Sequence, residues 1–168
     1  TEAPSVAANP PRARGLPPHV ALTMLQAGHR RFLGQGATNR DVTPLRRQRL
    51  AVTGARPLAI VVAPSDARVS PEILFDAGLG DVQVVRTAGN VLTDEVQASI
   101  ENAVDELGVG LVLVLGSTNS GVLATAAEDP PNGASASPPT RKLLAGLQPA
   151  LAAARLAGPT QGKQMLEL

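Results

Sequence analysis

An acid and an arginine stand two residues apart directly after an apolar run, in the stretch VVAPSDARVSPE at positions 61–72. Open α/β proteins usually place their working side chains where such runs end. Asp66 can accept protons or hydrogen bonds, and Arg68 can hold a carboxylate or another anion with its fork of N–H donors. The pair is therefore the first candidate for chemistry or for anion binding.

The same pair also has a purely structural interpretation. A charge-assisted bond between Asp66 and Arg68 would tie a strand end to the following loop and cap a helix that starts near Pro71. A zinc site on the two histidines, His19 and His29, is disfavoured because they lie ten residues apart with no third ligand at metal-binding spacing.

Composition excludes several classes of function. The chain has 168 residues, with 15 Lys plus Arg against 14 Asp plus Glu, and this balance favours neither nucleic acid nor an anionic membrane as a partner. Aromatic residues make up 1% of the chain, so stacking platforms for bases are essentially absent. The absence of cysteine excludes disulfides and thiolate zinc sites. Short apolar runs and the lack of a signal pattern predict a soluble, cytoplasmic protein.

The elements that must position Asp66 and Arg68 follow an α/β pattern. Three mainly aliphatic runs predict strands of a mainly parallel sheet that helices cover on both faces, over 58–63, 82–85 and 111–115. Helical spacing predicts a crossover helix over 93–107, capped by Thr93. Further helices are predicted over 19–33, 44–52 and 141–157, and after the turn at 116–120. The helix over 19–33 has an apolar stripe on Ala21, Met24, Leu25, Gly28 and Phe32.

The chain length predicts one domain of ordinary size, over residues 19–168. Residues 1–18 are predicted to form a flexible Pro-rich arm, and residues 129–139 a loop. The tail GPTQGKQMLEL has no strong assignment.

Four stretches, taken in order, resemble the β-class carbonic anhydrases: ALTMLQAGHRRFLGQG, PSDARVSPEILFDAGLGDVQVVRTAGNV, SIENAVDELGVGLVLVLG and SGV. The resemblance implies a central parallel sheet flanked by helices, with an extended N-terminal arm and helix. It also implies a zinc enzyme that converts carbon dioxide to bicarbonate. In relatives the first helix packs across a neighbouring subunit, so a homodimer formed through the N-terminal arm and helix is expected.

The three zinc-ligand positions of the family differ here. Pro64 stands where the family has its first cysteine, Ser117 where it has a histidine, and Ser120 where it has a second cysteine. Proline offers no side-chain ligand, and a neutral serine hydroxyl is a poor ligand for zinc. No zinc and no other cofactor is therefore expected, and Asp66 and Arg68 are the part of the catalytic apparatus that remains.

The altered site leaves three hypotheses open. The leading one is a pseudoenzyme without carbon dioxide hydration, with a pocket for a small anion at a helix N-terminus. The predicted pocket residues are Arg68, Ser117, Thr118, Asn119, Ser120 and Gly121. The turn is equally well explained as a simple cap, with Ser117 or Asn119 capping the helix.

The second hypothesis is hydration by a metal-independent or altered-metal mechanism, with Asp66 as base and Arg68 as anion stabiliser. The third is a dimerisation or docking module, whose contacts are made by the arm and by the loop at 129–139.

Overall fold

The computed structural model describes residues 15–34, 36, 41–128 and 136–157. The strands are β1 (Ala59–Pro64), β2 (Val82–Thr87) and β3 (Val112–Val114). The helices are α1 (Pro18–Leu33), α2 (Pro44–Thr53), α3 (Pro71–Leu74), α4 (Asp94–Asp105), α5 (Gly121–Glu128) and α6 (Pro138–Ala157), and a 3₁₀ turn covers Ala88–Asn90. Residues 1–14 of the predicted arm, 129–135 of the predicted loop and the tail at 158–168 lie outside the described residues.

The sheet is parallel, with strand order β2-β1-β3, which confirms the predicted α/β class. All six residues of β1 are buried, because this strand pairs on both edges and helices cover both of its faces. Parallel pairing brings the carboxyl ends of the strands to one edge of the sheet. The loops that follow β1 and β3 therefore become neighbours.

Alternate side chains of β1 pack on opposite sides of the sheet. Val61 packs in one cluster with Leu25 of α1, whereas Ile60 packs in a second cluster with Ala103 of α4. A third cluster joins α5 to α6 and contacts Val91, just after the 3₁₀ turn. None of the helices in the described ranges is long and apolar enough to cross a membrane.

The sequence predicts that helices cover both faces of β3, and the structure contradicts this prediction for one face. Its register places Val112 beside Ile60 on the side of the sheet that α4 covers. Val112 and Val114 are nevertheless 43% and 66% exposed, because α4 packs over β1 and β2 and leaves the edge strand bare. An aliphatic run predicts a strand, but its burial depends on where the helices lie.

Helix α1 packs on α3 of its own chain. Ala21, Leu25 and Gly28 are buried as the predicted stripe requires, whereas Met24 is 47% exposed and does not belong to it. At Gly28 the two helices approach so closely that a built Cβ would overlap the carbonyl oxygen of Phe75.

Replacing Gly28 with alanine should destabilise the fold. Gly→Ala within a helix normally stabilises by about 0.5–1 kcal/mol. Here the obstacle is the main chain of Phe75, which cannot move aside as a flexible side chain would, so we expect a loss of about 1–3 kcal/mol. Urea unfolding measures the difference in the free energy of unfolding.

The control is Gly121→Ala, since a Cβ on this helical glycine meets nothing within 4 Å in the described part of the chain. This variant should be neutral or slightly more stable. Equal losses in the two variants would contradict the close packing of α1 on α3.

Candidate functional site

Asp66 and Arg68 form a bidentate ion pair just beyond the end of β1. The Arg68 side chain donates from Nε to Asp66 Oδ1 at 3.0 Å and from Nη2 to Oδ2 at 2.6 Å. The main-chain N–H of Arg68 also donates to Oδ1, at 2.9 Å. Both carboxylate oxygens are therefore held by the same arginine.

The pair also links two loops that are remote in sequence. Arg68 Nη2 lies 3.2 Å from the carbonyl oxygen of Thr118 and 3.4 Å from that of Asn119. These contacts join the loop after β1 to the loop after β3. We refer to Asp66, Arg68 and the two carbonyl groups as the latch.

Arg86, which lies on β2, donates hydrogen bonds to the backbone segment that carries Asp66. Its Nε donates to the carbonyl oxygen of Pro64 at 3.1 Å, and its Nη2 donates to that of Asp66 at 2.6 Å. The sequence alone assigns Arg86 no role beyond its match to the family pattern. The structure shows that it fixes the backbone on which Asp66 stands.

The predicted helix caps are partly wrong. The latch does not cap α3, because the N-cap residue there is Ser70 and no side chain makes a capping bond. At α5 the capping hydroxyl belongs to Ser120, which accepts from the N–H of Leu123 at 3.4 Å, and not to Ser117 or Asn119. Asn119 instead adopts a left-handed backbone conformation, with φ of 55°, that turns the chain toward the helix.

Asn90 also belongs to this edge of the sheet, although the sequence alone places it only in a tight turn. Its Nδ2 donates to the carbonyl oxygen of Leu115 at 2.8 Å, which joins the ends of β2 and β3. Its Oδ1 is buried without a donor among the described residues. The sequence signal for this role is an asparagine that follows a glycine at the end of a strand. Asparagine tolerates the left-handed conformation, and its side chain carries both a donor and an acceptor.

The loop at 116–121 leaves open space beside the latch. A Cβ built on Gly116 or Gly121 meets no atom of the described residues within 4 Å. Among the predicted pocket residues, Thr118 and Asn119 contact Arg68 through their carbonyl groups. Ser117 and Ser120 lie half-buried on the same loop, but neither hydroxyl is bonded to Arg68.

The latch sets the charge state of its carboxylate. Hydrogen bonds from the side chain and then the main chain of Arg68 lower the pKa of Asp66 to about 2. Asp66 in turn raises the pKa of Arg68. Asp66 is therefore an ionised but very weak base at neutral pH.

The donor atoms at this edge do not fit a zinc ion. Pro64 has no side-chain donor, the Ser120 hydroxyl caps α5, and both oxygens of Asp66 are held by Arg68. His29 lies on α1, where its Nδ1 is 3.1 Å from the carbonyl oxygen of Leu74. In the part of the chain that the structure describes, no three His, Asp or Glu residues are grouped to hold a metal.

Residues 59–167 match the protein family described as carbonic anhydrase. Carbonic anhydrase 2 of Mycobacterium tuberculosis is 40% identical over 109 residues, which cover 65% of this chain and 52% of that protein. The carbonic anhydrase of Mycolicibacterium smegmatis is 42% identical over 106 residues, 63% of this chain and 51% of that protein. The chain thus spans about half the length of the curated relatives it matches.

Two solved structures share the fold. The β-carbonic anhydrase of Coccomyxa, in complex with acetazolamide, has a TM-score of 0.56 at 22% identity and covers 83% of this chain and 62% of that chain. A structure from work on two tetrameric β-carbonic anhydrases of Sordaria macrospora has a TM-score of 0.55 at 25% identity and covers 78% of this chain and 62% of that chain.

Asp66→Asn should lower stability at neutral pH, and the deficit should disappear in acid. The folded-state pKa of Asp66 is depressed from 3.8 to about 2. The stabilisation is therefore present above about pH 4 and is lost as the pH falls through about 2. Denaturant midpoints of both proteins over this pH range measure the effect.

Ser70→Ala is the control, because Ser70 makes no side-chain capping bond. Its midpoint should follow that of the unaltered protein at every pH. A deficit of Asp66→Asn that persists undiminished near pH 2 would contradict the role of the ionised latch.

Proposed function

The chain belongs to the carbonic anhydrase family, in its β class, and from that premise we propose that it is a member without the zinc chemistry of the family. On this proposal it does not hydrate carbon dioxide, and it keeps a polar pocket for a small anion such as bicarbonate or phosphate. The resemblance assigns the three zinc-ligand positions to Pro64, Ser117 and Ser120.

This proposal rests on the side-chain donor atoms that are available beside the latch. Zinc in hydrating enzymes is held by cysteine, histidine or carboxylate ligands and lowers the pKa of a bound water to about 7. The chain has no cysteine, and the carboxylate of the latch, Asp66, is already neutralised by Arg68. A proline and two serines leave this edge without the ligands that such chemistry requires.

Hydration without a metal is not favoured by the electrostatics. A general base works best when its pKa lies near the operating pH. Asp66, with a pKa of about 2, would be a poor base for activating water. Two of the three nitrogens of Arg68, Nε and Nη2, already bond to Asp66 and to the carbonyl groups of the latch, so the carboxylate offsets much of the charge that Arg68 could offer to an anionic product.

The anion pocket is proposed at the N-terminus of α5. The first N–H groups of a helix lack partners within the helix and favour anions, and the space around Gly116 and Gly121 is open. The buried Oδ1 of Asn90 lacks a donor among the described residues, and leaving it so costs about 1–3 kcal/mol. This atom is closed to solvent, so it is not part of the proposed pocket. Because Asp66 neutralises Arg68, we propose that residues 117–121 make most of the contacts with the anion.

The homodimer remains a proposal that follows from the resemblance and from the tetrameric relatives of Sordaria macrospora. The apolar stripe of α1 is buried in its own chain, so only residues outside it, such as Met24 and Leu33, are exposed for contact with a neighbour. The docking hypothesis relies mainly on residues 1–14 and 129–135, which lie outside the described residues.

The purified protein should contain no stoichiometric zinc and should not hydrate carbon dioxide above the uncatalysed rate. Metal analysis and a stopped-flow assay with added zinc measure both properties. The combined variant Pro64→Cys, Ser117→His and Ser120→Cys introduces the ligand types of the family and should take up about one zinc per chain. Stoichiometric zinc with rapid hydration in the unaltered protein would overturn the proposal.

Bicarbonate and phosphate should shift the amide NMR resonances of residues 117–123, with dissociation constants of about a millimolar. Ser120→Ala removes the capping hydroxyl of α5 and should weaken binding several-fold. Ser137→Ala is the matched control, since Ser137 caps α6 in the same way through the N–H of Thr140. Shifts no larger than those caused by chloride would contradict the pocket.

A further inference from the structure

A cleft of about 210 Å³ lies between helix α1, the end of α3 and strand β3. An engineered apolar cavity of about 150 Å³ holds one benzene molecule. This cleft therefore has room for an apolar body of about one ring with a short chain. Much of its wall consists of residues in the apolar core cluster that packs on β1, namely Leu25, Leu74, Phe75, Leu113 and Leu115.

The helix side of the cleft carries a positive charge. Gln26 and Arg30 both line the cleft, four residues apart on α1, and residues at this spacing lie on the same face of a helix. None of the described residues that line the cleft is acidic. A molecule with a negative end would therefore meet a guanidinium and an amide, both of which donate hydrogen bonds.

Arg30 has no acidic partner in the described part of the chain. The neighbouring Arg31 differs in this respect, because its Nε bonds to Asp76 at 2.7 Å. Arg30 forms no ion pair and donates no side-chain hydrogen bond to the residues that the structure describes. A guanidinium is always charged, and its fork of donors matches the geometry of a carboxylate. An unpaired cation beside an apolar cleft suits an amphipathic anion.

Two rings line the cleft and favour a ligand that itself has a ring. The ring of His29 is held by Nδ1, which lies 3.1 Å from the carbonyl oxygen of Leu74. Its centroid lies 6.1 Å from that of Phe75, with the two planes tilted by 59°. Aromatic rings pack favourably against such faces and edges.

We propose that this cleft binds a small monocarboxylate with an aromatic body. The ring of the ligand packs among the apolar residues of the cleft, and its carboxylate accepts hydrogen bonds from Arg30. The apolar wall supplies affinity, and Arg30 selects an acid over the corresponding alcohol or amine. The proposal does not rest on the anion pocket at 117–121 or on the absence of zinc.

Three probes of nearly equal size test the charge selectivity: phenylpropionate, phenylpropanol and phenylpropylamine. In amide NMR titrations of the full chain, phenylpropionate should shift resonances within residues 22–33 and 113–115, with a dissociation constant of about a millimolar. The alcohol should bind about fivefold more weakly, and the amine more weakly still, because only the carboxylate pairs with Arg30. Acetate, which lacks the ring, should leave these resonances in place.

Arg30→Gln should weaken the binding of phenylpropionate about fivefold and leave that of phenylpropanol unchanged. Arg47→Gln is the matched control, because Arg47 is also an exposed helical arginine but is not among the residues that line the cleft. Circular dichroism verifies that both variants are folded. Saturating bicarbonate should not displace phenylpropionate, so the cleft and the anion pocket are tested separately.

Equal affinities for the acid and the alcohol would overturn the proposal, and so would an Arg30→Gln variant that binds the acid as tightly as the unaltered protein. Shifts confined to residues 117–123 would assign the probe to the anion pocket and would contradict the cleft, as would the absence of shifts at about 10 mM probe. Resonances of the cleft that change with protein concentration alone would indicate that a second copy covers it, which would also overturn the proposal.

Discussion

The candidate site depends on the burial of β1 at the centre of a parallel sheet. Because β1 pairs with a neighbour on each edge, the chain must leave the sheet three times at the same side. Arg68 and the loop at 116–121 are about fifty residues apart in sequence, yet this topology brings them within hydrogen-bond distance. The helices exclude water from β1, and this burial stabilises its pairing with β2 and β3.

The latch holds the two loops in a defined arrangement in which Asp66 and Arg68 pair their charges. Arg68 and Arg86 direct their donors at Asp66 and at main-chain oxygens. The charge of Asp66 is thereby balanced within the protein, and its pKa is too low for efficient proton transfer at neutral pH. The loops at this edge of the sheet are thus held together by hydrogen bonds and an ion pair that need no metal.

Strand β3, in contrast to β1, leaves apolar side chains exposed. Exposed valines on an edge strand tend to associate, and proteins usually cover or charge such edges. Helix α4 packs over β1 and β2, so it leaves these valines uncovered.

Local patterns in the sequence determined the fold class and most of the elements. Periodicity placed α1 and α4 to within a few residues, and aliphatic runs placed the three strands, because these signals come from neighbouring side chains. The absence of cysteine was also readable, since donor atoms belong to individual residues; that Pro64, Ser117 and Ser120 stand at zinc-ligand positions stays a prediction from the resemblance. Tertiary structure alone decided that Ser120 caps α5, that Asn90 and Arg86 support the site, and that β3 is half bare. Each of these depends on the distance between segments remote in sequence, which no local pattern specifies.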